Sequence, residues 1–532
     1  MFKFNDDEKP IALALVTGRP ALGLSNAGKA SVKADHSKEA PLGATTISVL
    51  LAVHSSSSTM GRAPLDLVVV LDVSGSMRGS RMDQLKSALQ FVLKKLSPMD
   101  RLCIVTISTK SDRLCVLRAM SNAAKSEIQG IMEGLVARGG TNIQAGLETG
   151  LQVLADRQYV NGRTANILLL CHGGQTHGDA RKVSNPRNVP VYSLAFGPDA
   201  ETMFLRDLAA NGGTFNVVPE ERNTAGMLAV FAQLMAGLQT VVVQDLHLIL
   251  SRPTGPDDDL DKVVKVAPGD FNQETDSQSG TVTVKFGDLF SGEVRQVVVD
   301  LLLVEALGSD YEADMLEVGV SYRNAKGNTQ KFSSQTLRVT RSGKSSSVVI
   351  TTPKLVAENA RRKHAESIGA ARILADEGDL EEARDRLMDA QNELDDILDQ
   401  AHPMAAMLRM ELQQLLDRME SPEMYRAEGC AYALAAEKSH VLQRFASRGD
   451  IGGARFFATP RMDVYLEQAK KFADNPGAAV LTADEDAEEE VKANPMAAIA
   501  DSLAFHIHAA VESLQAIEKI VTAAAMFSPQ PC

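Results

Sequence analysis

The sequence predicts a doubly wound α/β domain inserted in an antiparallel β-sandwich and followed by an α-helical region. Between about residues 62 and 240, short apolar runs alternate with amphipathic stretches, as in a parallel sheet covered by helices. From 241 to 350 the hydrophobic period changes to two, which is typical of antiparallel strands in a sandwich. Over 351–532 the composition is rich in Ala, Glu, Arg and Leu, which favours helices.

The segment 1–61 contains an alternating run at 45–53, with Ile47, Val49, Leu51 and Val53 on one face. A lone strand can neither bury its apolar face nor pair its edges. We therefore expect this strand to join the sandwich at 241–350, which makes the α/β domain at 62–240 an insertion.

The elements of the α/β domain follow from the periodicity of its apolar residues. The run 65–71 is apolar at nearly every position, as expected of a strand buried on both faces. Further strands are predicted at 101–108, 113–118, 166–170, 189–196 and 214–217. Helices are predicted at 82–96, 122–136, 143–155, 202–210 and 224–239.

The helical region begins with a predicted hairpin that breaks at Gly378, where Asp379 is a good N-cap for the second helix. Its helices are predicted at 355–376, 380–400, 403–419, 426–447 and 497–527. The acidic run at 484–490 is predicted to be a solvated linker, with a docking role as the alternative.

Composition argues against several classes of function. The chain has 68 acidic and 55 basic residues, a formal net charge of −13, which argues against general nucleic-acid binding. Its five cysteines are scattered without a C-x-x-C pair, which argues against a zinc-binding RING or a disulfide framework and favours a cytoplasmic protein. No run approaches the roughly 18 apolar residues of a membrane span.

Two loops at the ends of predicted elements carry oxygen-bearing side chains. The strand at 65–71 leads into Asp72-Val-Ser74-Gly-Ser76, and Thr141 follows a pair of glycines before a predicted helix. In doubly wound folds, ligands bind at the carboxyl edge of the sheet where the strand order reverses. Carboxylate and hydroxyl oxygens are ligands that suit Mg²⁺. This pattern predicts a metal site at that edge.

The pattern resembles the metal-ion-dependent adhesion site of von Willebrand factor A (VWA) domains. In particular, the chain resembles the plant VWA proteins related to RING-type ubiquitin ligases, in which a RING precedes a VWA domain, a β-rich intein-like region called Vwaint, and a helical tail. The stretches 63–77, 97–102, 139–143 and 212–215 carry the match, and a weaker likeness extends through Phe290, 375–380 and 459–462. The resemblance places the Vwaint-like region at 241–350. The resemblance covers most of the chain but does not include the RING.

The resemblance implies that Asp72, Ser74, Ser76 and Thr141 bind Mg²⁺. This chain also departs from the family's pattern, because His172 stands on the third loop where the family usually has an Asp. Imidazole suits Zn²⁺ or Ni²⁺ better than Mg²⁺. Three alternatives stay open: a site that binds Mg²⁺, a site that binds another metal through His172, and an empty loop kept for its shape.

In the family, an acidic side chain of a partner usually completes the metal's coordination. The leading hypothesis is therefore a non-enzymatic protein–protein interaction module, with no catalytic residue, since Ser74 and Ser76 lie in no G-x-S-x-G elbow. Residues adjacent to the loops are predicted to form the partner-binding rim, or else to be ordinary solvent-facing residues. They are Met77, Arg78, Arg81, Asn142, Gln175 and His177.

Two other functions stay open. In one, the chain is the substrate-recognition subunit of a ubiquitin ligase and acts with a RING-bearing relative through its helical tail. In the other, it is a decayed structural homologue without a partner. The helical composition of the tail also fits self-association.

Overall fold

The computed structural model describes residues 4–11 and 30–493, except for 58–60, 173, 198–200, 210, 220–224, 254–259, 268, 270, 307, 325–326, 344–350, 400 and 450–452. The helix predicted at 497–527 lies outside the described residues. The chain forms three units. They are a β-sandwich, an α/β domain inserted in the sandwich, and a helical region.

The chain enters the sandwich before it builds the α/β domain. Its first strands are β1 (Ala30–Asp35), β2 (Glu39–Pro41) and β3 (Thr45–Ser55). Strand β3 carries the alternating run noted in the sequence, and Ile47, Val49, Leu51 and Val53 are all buried.

The α/β domain follows, with its sheet in the order β10-β9-β8-β4-β5-β6. Its strands are β4 (Leu65–Asp72), β5 (Arg101–Ile107), β6 (Ser111–Arg113), β7 (Arg118–Ala119), β8 (Thr164–Cys171), β9 (Val191–Phe196) and β10 (Phe215–Val218). Its helices are α1 (Ser80–Lys95), α2 (Asn122–Glu133), α3 (Ile143–Ala155), α4 (Thr202–Leu208) and α5 (Ala225–Leu238).

The central strand β4 is flanked by β5 on one side and β8 on the other, both parallel to it. The strand order therefore reverses between β4 and β8, which is where this architecture binds ligands. Every residue of β4 is buried, as its apolar run predicted. The strand predicted at 113–118 differs, because β6 and β7 are two separate pieces that run antiparallel to β5.

The remaining sandwich strands come after the α/β domain. They are β11 (Val241–Ser251), β12 (Leu260–Ala267), β13 (Asn272–Thr275), β14 (Val282–Phe290), β15 (Val294–Leu303), β16 (Tyr311–Arg323) and β17 (Thr329–Ser342). Strand β3 pairs antiparallel with β15 from Thr45–Leu303 to His54–Val294. The α/β domain is therefore an insertion between strands of one sheet, as the sequence predicted.

The two sheets of the sandwich have the orders β1-β3-β15-β12 and β13-β14-β11-β16-β17-β2. Their inner faces share one apolar core, in which residues such as Val49, Val299 and Leu248 are fully buried. Segments from both sides of the insertion thus complete a single core.

The helical region contains α6 (Pro353–Asp376), α7 (Leu380–Ile397), α8 (Pro403–Asp417), α9 (Cys430–Leu442), α10 (Pro460–Asp474) and α11 (Ala483–Ala493), with a turn Pro422–Met424 and a π-helix Tyr425–Gly429 before α9. The predicted cap is present, since the Asp379 carboxylate accepts a hydrogen bond from the Glu382 backbone. The helix predicted at 426–447 is shorter, because Gln443 adopts a left-handed conformation that ends α9.

Two features of the helical region differ from the sequence analysis. Helix α10 was not predicted, although Thr459 and Pro460 form a capped helix start. The prediction of a solvated linker at 484–490 is wrong, because the run lies within α11. Four of its acidic residues are paired with basic side chains, namely Asp484 with Arg62, Asp486 with Lys95, Glu489 with Lys492 and Glu490 with Arg461.

Candidate functional site

The first loop of the candidate site begins at the carboxyl end of β4. The Asp72 side chain is fully buried, and its Oδ1 accepts a hydrogen bond from the Ser74 backbone at 2.8 Å. A short 3₁₀ turn, Gly75–Met77, then reverses the chain toward α1. The turn brings the Ser74 and Ser76 hydroxyl oxygens to 2.9 Å from each other. One carboxylate and two hydroxyls are thus grouped within five residues.

The second loop is fastened to the first by backbone hydrogen bonds. The Gly75 backbone N–H donates to Gly139 O at 3.0 Å, and the Arg138 N–H donates to Val73 O at 2.7 Å. Gly139 has a positive φ of 76°, which favours glycine at this turn. The loop carries Thr141, whose side chain is 5% exposed.

The third loop follows β8 and closes over Asp72. The Cys171 Sγ and the His172 backbone N each lie 3.4 Å from Asp72 Oδ2. The His172 ring contacts Arg81, since its Nε2 lies 3.0 Å from Nη1 of Arg81. A guanidinium only donates hydrogen bonds, so this Nε2 is the acceptor and His172 is neutral in this contact.

Arg81 joins the third loop to the first. Its Nη1 also donates to Ser76 O at 3.1 Å, and its guanidinium lies 5.8 Å from the centre of the Phe196 ring. Gly197 has a φ of 91°, and a Cβ there would come within 2.9 Å of His172 Nε2. Because Gly197 has no side chain, there is room for the Arg81–His172 pair.

The predicted rim residues divide into two groups. Arg78 and His177 are exposed, and Arg81, Asn142 and Gln175 are half-buried. Asn142 also caps α3, because its Oδ1 accepts a hydrogen bond from Ala145 N at 3.0 Å.

Met77 does not belong to the rim. Its side chain is 0% exposed and packs in the apolar core between the sheet and α1. The 3₁₀ turn directs Met77 inward and Ser76 outward, so the methionine cannot contact a partner.

Thr176 is a residue of the site that the sequence analysis missed. Its Oγ1 accepts a hydrogen bond from Thr141 N at 2.8 Å, and its own N–H donates to Thr141 O at 2.9 Å. Gly140 permits this contact, because a Cβ there would lie 2.5 Å from Thr176 Oγ1. Thr176 therefore holds the second and third loops together.

The oxygen atoms of the first loop fit a small divalent cation. Adjacent ligands of octahedral Mg²⁺, each roughly 2.1 Å from the ion, lie roughly 3.0 Å apart. The Ser74 and Ser76 hydroxyls are 2.9 Å apart, which is also a good hydrogen-bond distance. The Nε2 atom of His172 contacts Arg81, and its backbone N faces Asp72.

A second cluster of metal-ligand residues lies in the helical region. The Nε2 atoms of His364 and His440 each lie 2.7 Å from the same carboxylate oxygen of Glu411, and all three side chains are buried. The residues come from α6, α8 and α9, so no sequence spacing signals the cluster. Its geometry is that of two imidazole N–H groups donating to one carboxylate.

Electrostatics favours a buried polar network over a metal centre at this cluster. Burial alone would raise the pKa of Glu411, but the Arg448 charge and the histidine contacts hold that pKa well below its usual value. Nη2 of Arg448 lies 2.6 Å from Glu411 Oε1. Burial lowers the pKa of His440 to about 4, so this histidine is neutral near pH 7. An arginine already supplies the positive charge that a metal would bring.

The fold and the loops define the class of the inserted domain. Residues 67–175 match the family model for the von Willebrand factor type A domain, and the chain therefore contains a VWA domain. Residues 402–471 match the model described as VWA / Hh protein intein-like. That match falls on the helical region, whereas the sequence analysis placed the intein-like region at 241–350.

Relatives of known name share about half of the chain. It is 33% identical over 244 residues to the E3 ubiquitin-protein ligase WAV3 of Arabidopsis thaliana, covering 45% of this chain and 31% of that protein. It is 28% identical over 265 residues to the uncharacterized protein sll0103 of Synechocystis, covering 48% of this chain and 61% of that protein. The chain thus spans about a third of the ligase and less than two thirds of the second relative.

A solved structure shares the fold over a larger part of the chain. The von Willebrand factor type A protein from Catenulispora acidiphila superposes with a TM-score of 0.57 at 16% identity, covering 78% of this chain and 96% of that one. Among the residues that the structure describes, no helix is long and apolar enough to cross a membrane.

Proposed function

We propose that the chain is a non-enzymatic interaction protein whose VWA domain captures a protein partner at the carboxyl edge of its sheet, through a bound divalent cation. The observation that carries the proposal is the pair of serine hydroxyls 2.9 Å apart beside the buried Asp72. Ser74, Ser76 and Thr141 would hold the ion, with Asp72 supplying negative charge. A bound Mg²⁺ would supply positive charge to an acidic group of the partner.

The charge around the site supports an acidic partner. Asp72 is the buried carboxylate at this edge, and the family's third-loop carboxylate is replaced by His172. Arg81 adds a positive charge beside Ser76. A divalent cation with one carboxylate and a neighbouring guanidinium leaves the mouth of the site positive, so it attracts a carboxylate and disfavours a base.

The chain's own residues have distinct roles in this proposal. Gly139 holds the second loop against the first and Thr176 holds it against the third, so the hydroxyls are positioned before a partner arrives. His172 orients Arg81 and does not bind the ion. The exposed Arg78 and His177 contact the partner around its acidic group. The surrounding loops make this binding specific.

Calorimetric titration of the full chain with MgCl₂ tests the proposal. We expect a heat of binding in the wild type and none in a Ser74→Ala/Ser76→Ala variant, because two of the ligand oxygens are removed. Ser126→Ala is the matched control, since Ser126 is exposed on α2 and bonds only its own helix. The proposal fails if millimolar Mg²⁺ gives no heat with the wild type, or the same heat with the double variant.

A second proposal is that the chain serves a ubiquitin ligase as a substrate-recognition subunit. It is supported by the similarity to a relative named as an E3 ubiquitin-protein ligase over 45% of this chain. In this proposal a RING-bearing relative binds the helical region and supplies the ligase activity. Ubiquitin transfer would be measured for that relative alone, with the wild-type chain, and with the Ser74→Ala/Ser76→Ala variant. Transfer to new targets that needs the chain supports the proposal, and an unchanged target pattern contradicts it.

A further inference from the structure

Residues 4–11 lie in a groove at the amino edge of the VWA sheet, opposite the candidate metal site. The three consecutive acids of this segment each meet an arginine. Asp6 pairs with Arg113, and Asp7 pairs with Arg101 at 2.9 Å. The third acid, Glu8, lies 3.2 Å from Arg118 and also accepts the Ala119 backbone N–H at 3.0 Å. We call the surface formed by Arg101, Arg113 and Arg118 the basic groove.

An aromatic contact begins the same segment. The Phe4 ring lies 4.0 Å from the Arg113 guanidinium, a cation–π contact, and packs beside the apolar core under the sheet. The Phe4 backbone N–H donates to Asp156 at 2.7 Å. The groove therefore recognises an aromatic residue followed, two residues later, by three acids.

The basic groove has an excess of positive charge without the segment, although Glu127 of the domain also pairs with Arg118. Asp66 is buried beneath it and pairs with three arginines, Arg101, Arg157 and Arg163. One carboxylate cannot neutralise three guanidinium groups, so this network carries net positive charge. Asp7, whose side chain is 5% exposed, supplies the second carboxylate. A second carboxylate thus offsets part of the positive charge of this buried network.

Side chains rather than a strand pairing hold the segment. Its backbone makes one hydrogen bond to the domain's backbone, from Glu8 N to Leu117 O at 3.0 Å. The Asp6 and Glu8 side chains are 41% and 39% exposed, and such exposed ion pairs contribute little stability. The groove itself is built on β5, β6 and β7, which pair with one another without the segment. Dissociation of the segment would leave a preformed cationic groove.

We propose that the basic groove is a docking site for an acidic segment of a partner protein, with the pattern aromatic–x–Asp–Asp–Glu, and that residues 4–8 occupy it in cis until the partner displaces them. This site is separate from the carboxyl edge and does not depend on the function proposed there. Charge complementarity and the seated segment define the ligand. Competition from residues 4–8 limits the partner's access.

A displacement experiment on the full chain tests this proposal. The probe is a fluorescein-labelled peptide with the sequence of residues 2–11. Its anisotropy would be measured with the wild type and with an Asp6→Asn/Asp7→Asn/Glu8→Gln variant, whose own segment no longer matches the groove. We expect the peptide to bind the variant at least about tenfold more tightly than the wild type. The apparent affinity is the intrinsic affinity multiplied by the fraction of chains in which the groove is open, and the segment keeps that fraction low in the wild type. Raising the salt concentration should weaken that binding.

Three controls define the outcome. Adding Arg113→Gln/Arg118→Gln to the triple variant should abolish binding, whereas adding Arg206→Gln, which alters a half-buried arginine on α4, should not. A milder Asp6→Asn/Glu8→Gln variant keeps the buried Asp7 and should give an intermediate gain, which covers the case in which the triple variant fails to fold. The proposal is overturned if folded variants bind the peptide no better than the wild type. It is also overturned if sedimentation shows that the wild type, but not the variant, dimerises, since a second copy would then fill the groove.

Discussion

His440 shows how burial sets the chemistry of a single residue in this protein. It lies 2.7 Å from Glu411, and its ring also contacts Arg361 and the ring of Phe456. Burial is the largest cause of its low pKa, and the attraction of Glu411 only partly offsets it. The network ties three helices together, and His440 takes part in it as a neutral imidazole, so acid should weaken it.

The sign of this pH dependence follows from the two pKa values of His440. The folded pKa is about 4 and the ordinary value is 6.5, so between these values the unfolded chain binds a proton that the folded chain does not. The free energy of unfolding should therefore fall as the pH is lowered from 6.5 toward 4. His440→Gln should flatten this dependence, measured by urea unfolding between pH 7 and 5.

Above pH 5, the pH dependence of the free energy of unfolding distinguishes the contribution of His440 from that of Glu411. The pKa of Glu411 is lowered from an ordinary value of 4.5, so its own contribution is lost only at lower pH. His177→Gln is the matched control, because His177 is exposed on the third loop. An equal pH dependence in the wild type and in His440→Gln would contradict this account of the network.

At the scale of elements, helix α11 is held to the VWA domain by buried charge. The Lys95 ammonium is 2.6 Å from Asp486, donates to Leu481 O at 2.9 Å, and lies 3.9 Å from the centre of the Tyr465 ring. Burial is the main reason that the pKa of Lys95 falls to about 8, against the opposing effect of Asp486. The acidic helix is thus part of the folded domain assembly.

Asp486→Asn should destabilise the protein by about 3 kcal/mol, because removal of one partner leaves a buried charge without compensation. Glu488→Gln is the matched control on the same helix, where the side chain is exposed, and should change the free energy of unfolding by less than about 0.5 kcal/mol. Urea unfolding followed by circular dichroism measures both. Equal stabilities of the two variants would show that the pair does not hold α11.

The sequence predicted most elements whose cause is local, with α10 as an exception, and missed α11, whose cause is distant. Strand β3 was placed in the sandwich because its alternating apolar face needs a partner, and it pairs with β15. Helix α11 was missed because its acidic run has its partners, such as Lys95, several hundred residues away. In the candidate site, the loops carrying Ser74 and Thr141 were found from their residue types. The inward turn of Met77 and the link through Thr176 depend on three-dimensional packing that no spacing reveals.

At the scale of the whole molecule, Arg444 joins all three units. From the helical region its Nε donates to Glu293 at 2.9 Å and its Nη2 to Asp288 O at 2.6 Å, both in the sandwich. Its Nη1 donates to Gly212 O of the VWA domain at 2.9 Å. Burial would raise the pKa of Glu293, but Arg295 and Arg444 hold it below its usual value. The interfaces are therefore coupled through one buried cation.

Arg444→Ala should destabilise the protein by about 3 kcal/mol, because it removes one of two cations from a buried carboxylate. It should also reduce the coupling between units, which calorimetry would record as a thermal transition that broadens or splits. Arg409→Gln, which removes a more exposed arginine of α8, should leave the transition unchanged. A single unaltered transition in Arg444→Ala would mean that the units are held together by other contacts.

The measurement that tests the central claim most directly is the position of a bound cation. A crystal of the full chain soaked in Mn²⁺ would show an anomalous scattering peak at the ion. We expect one peak within coordination distance of the Ser74, Ser76 and Thr141 hydroxyls. No peak at this edge of the sheet, or a peak only among His364, Glu411 and His440, would contradict it.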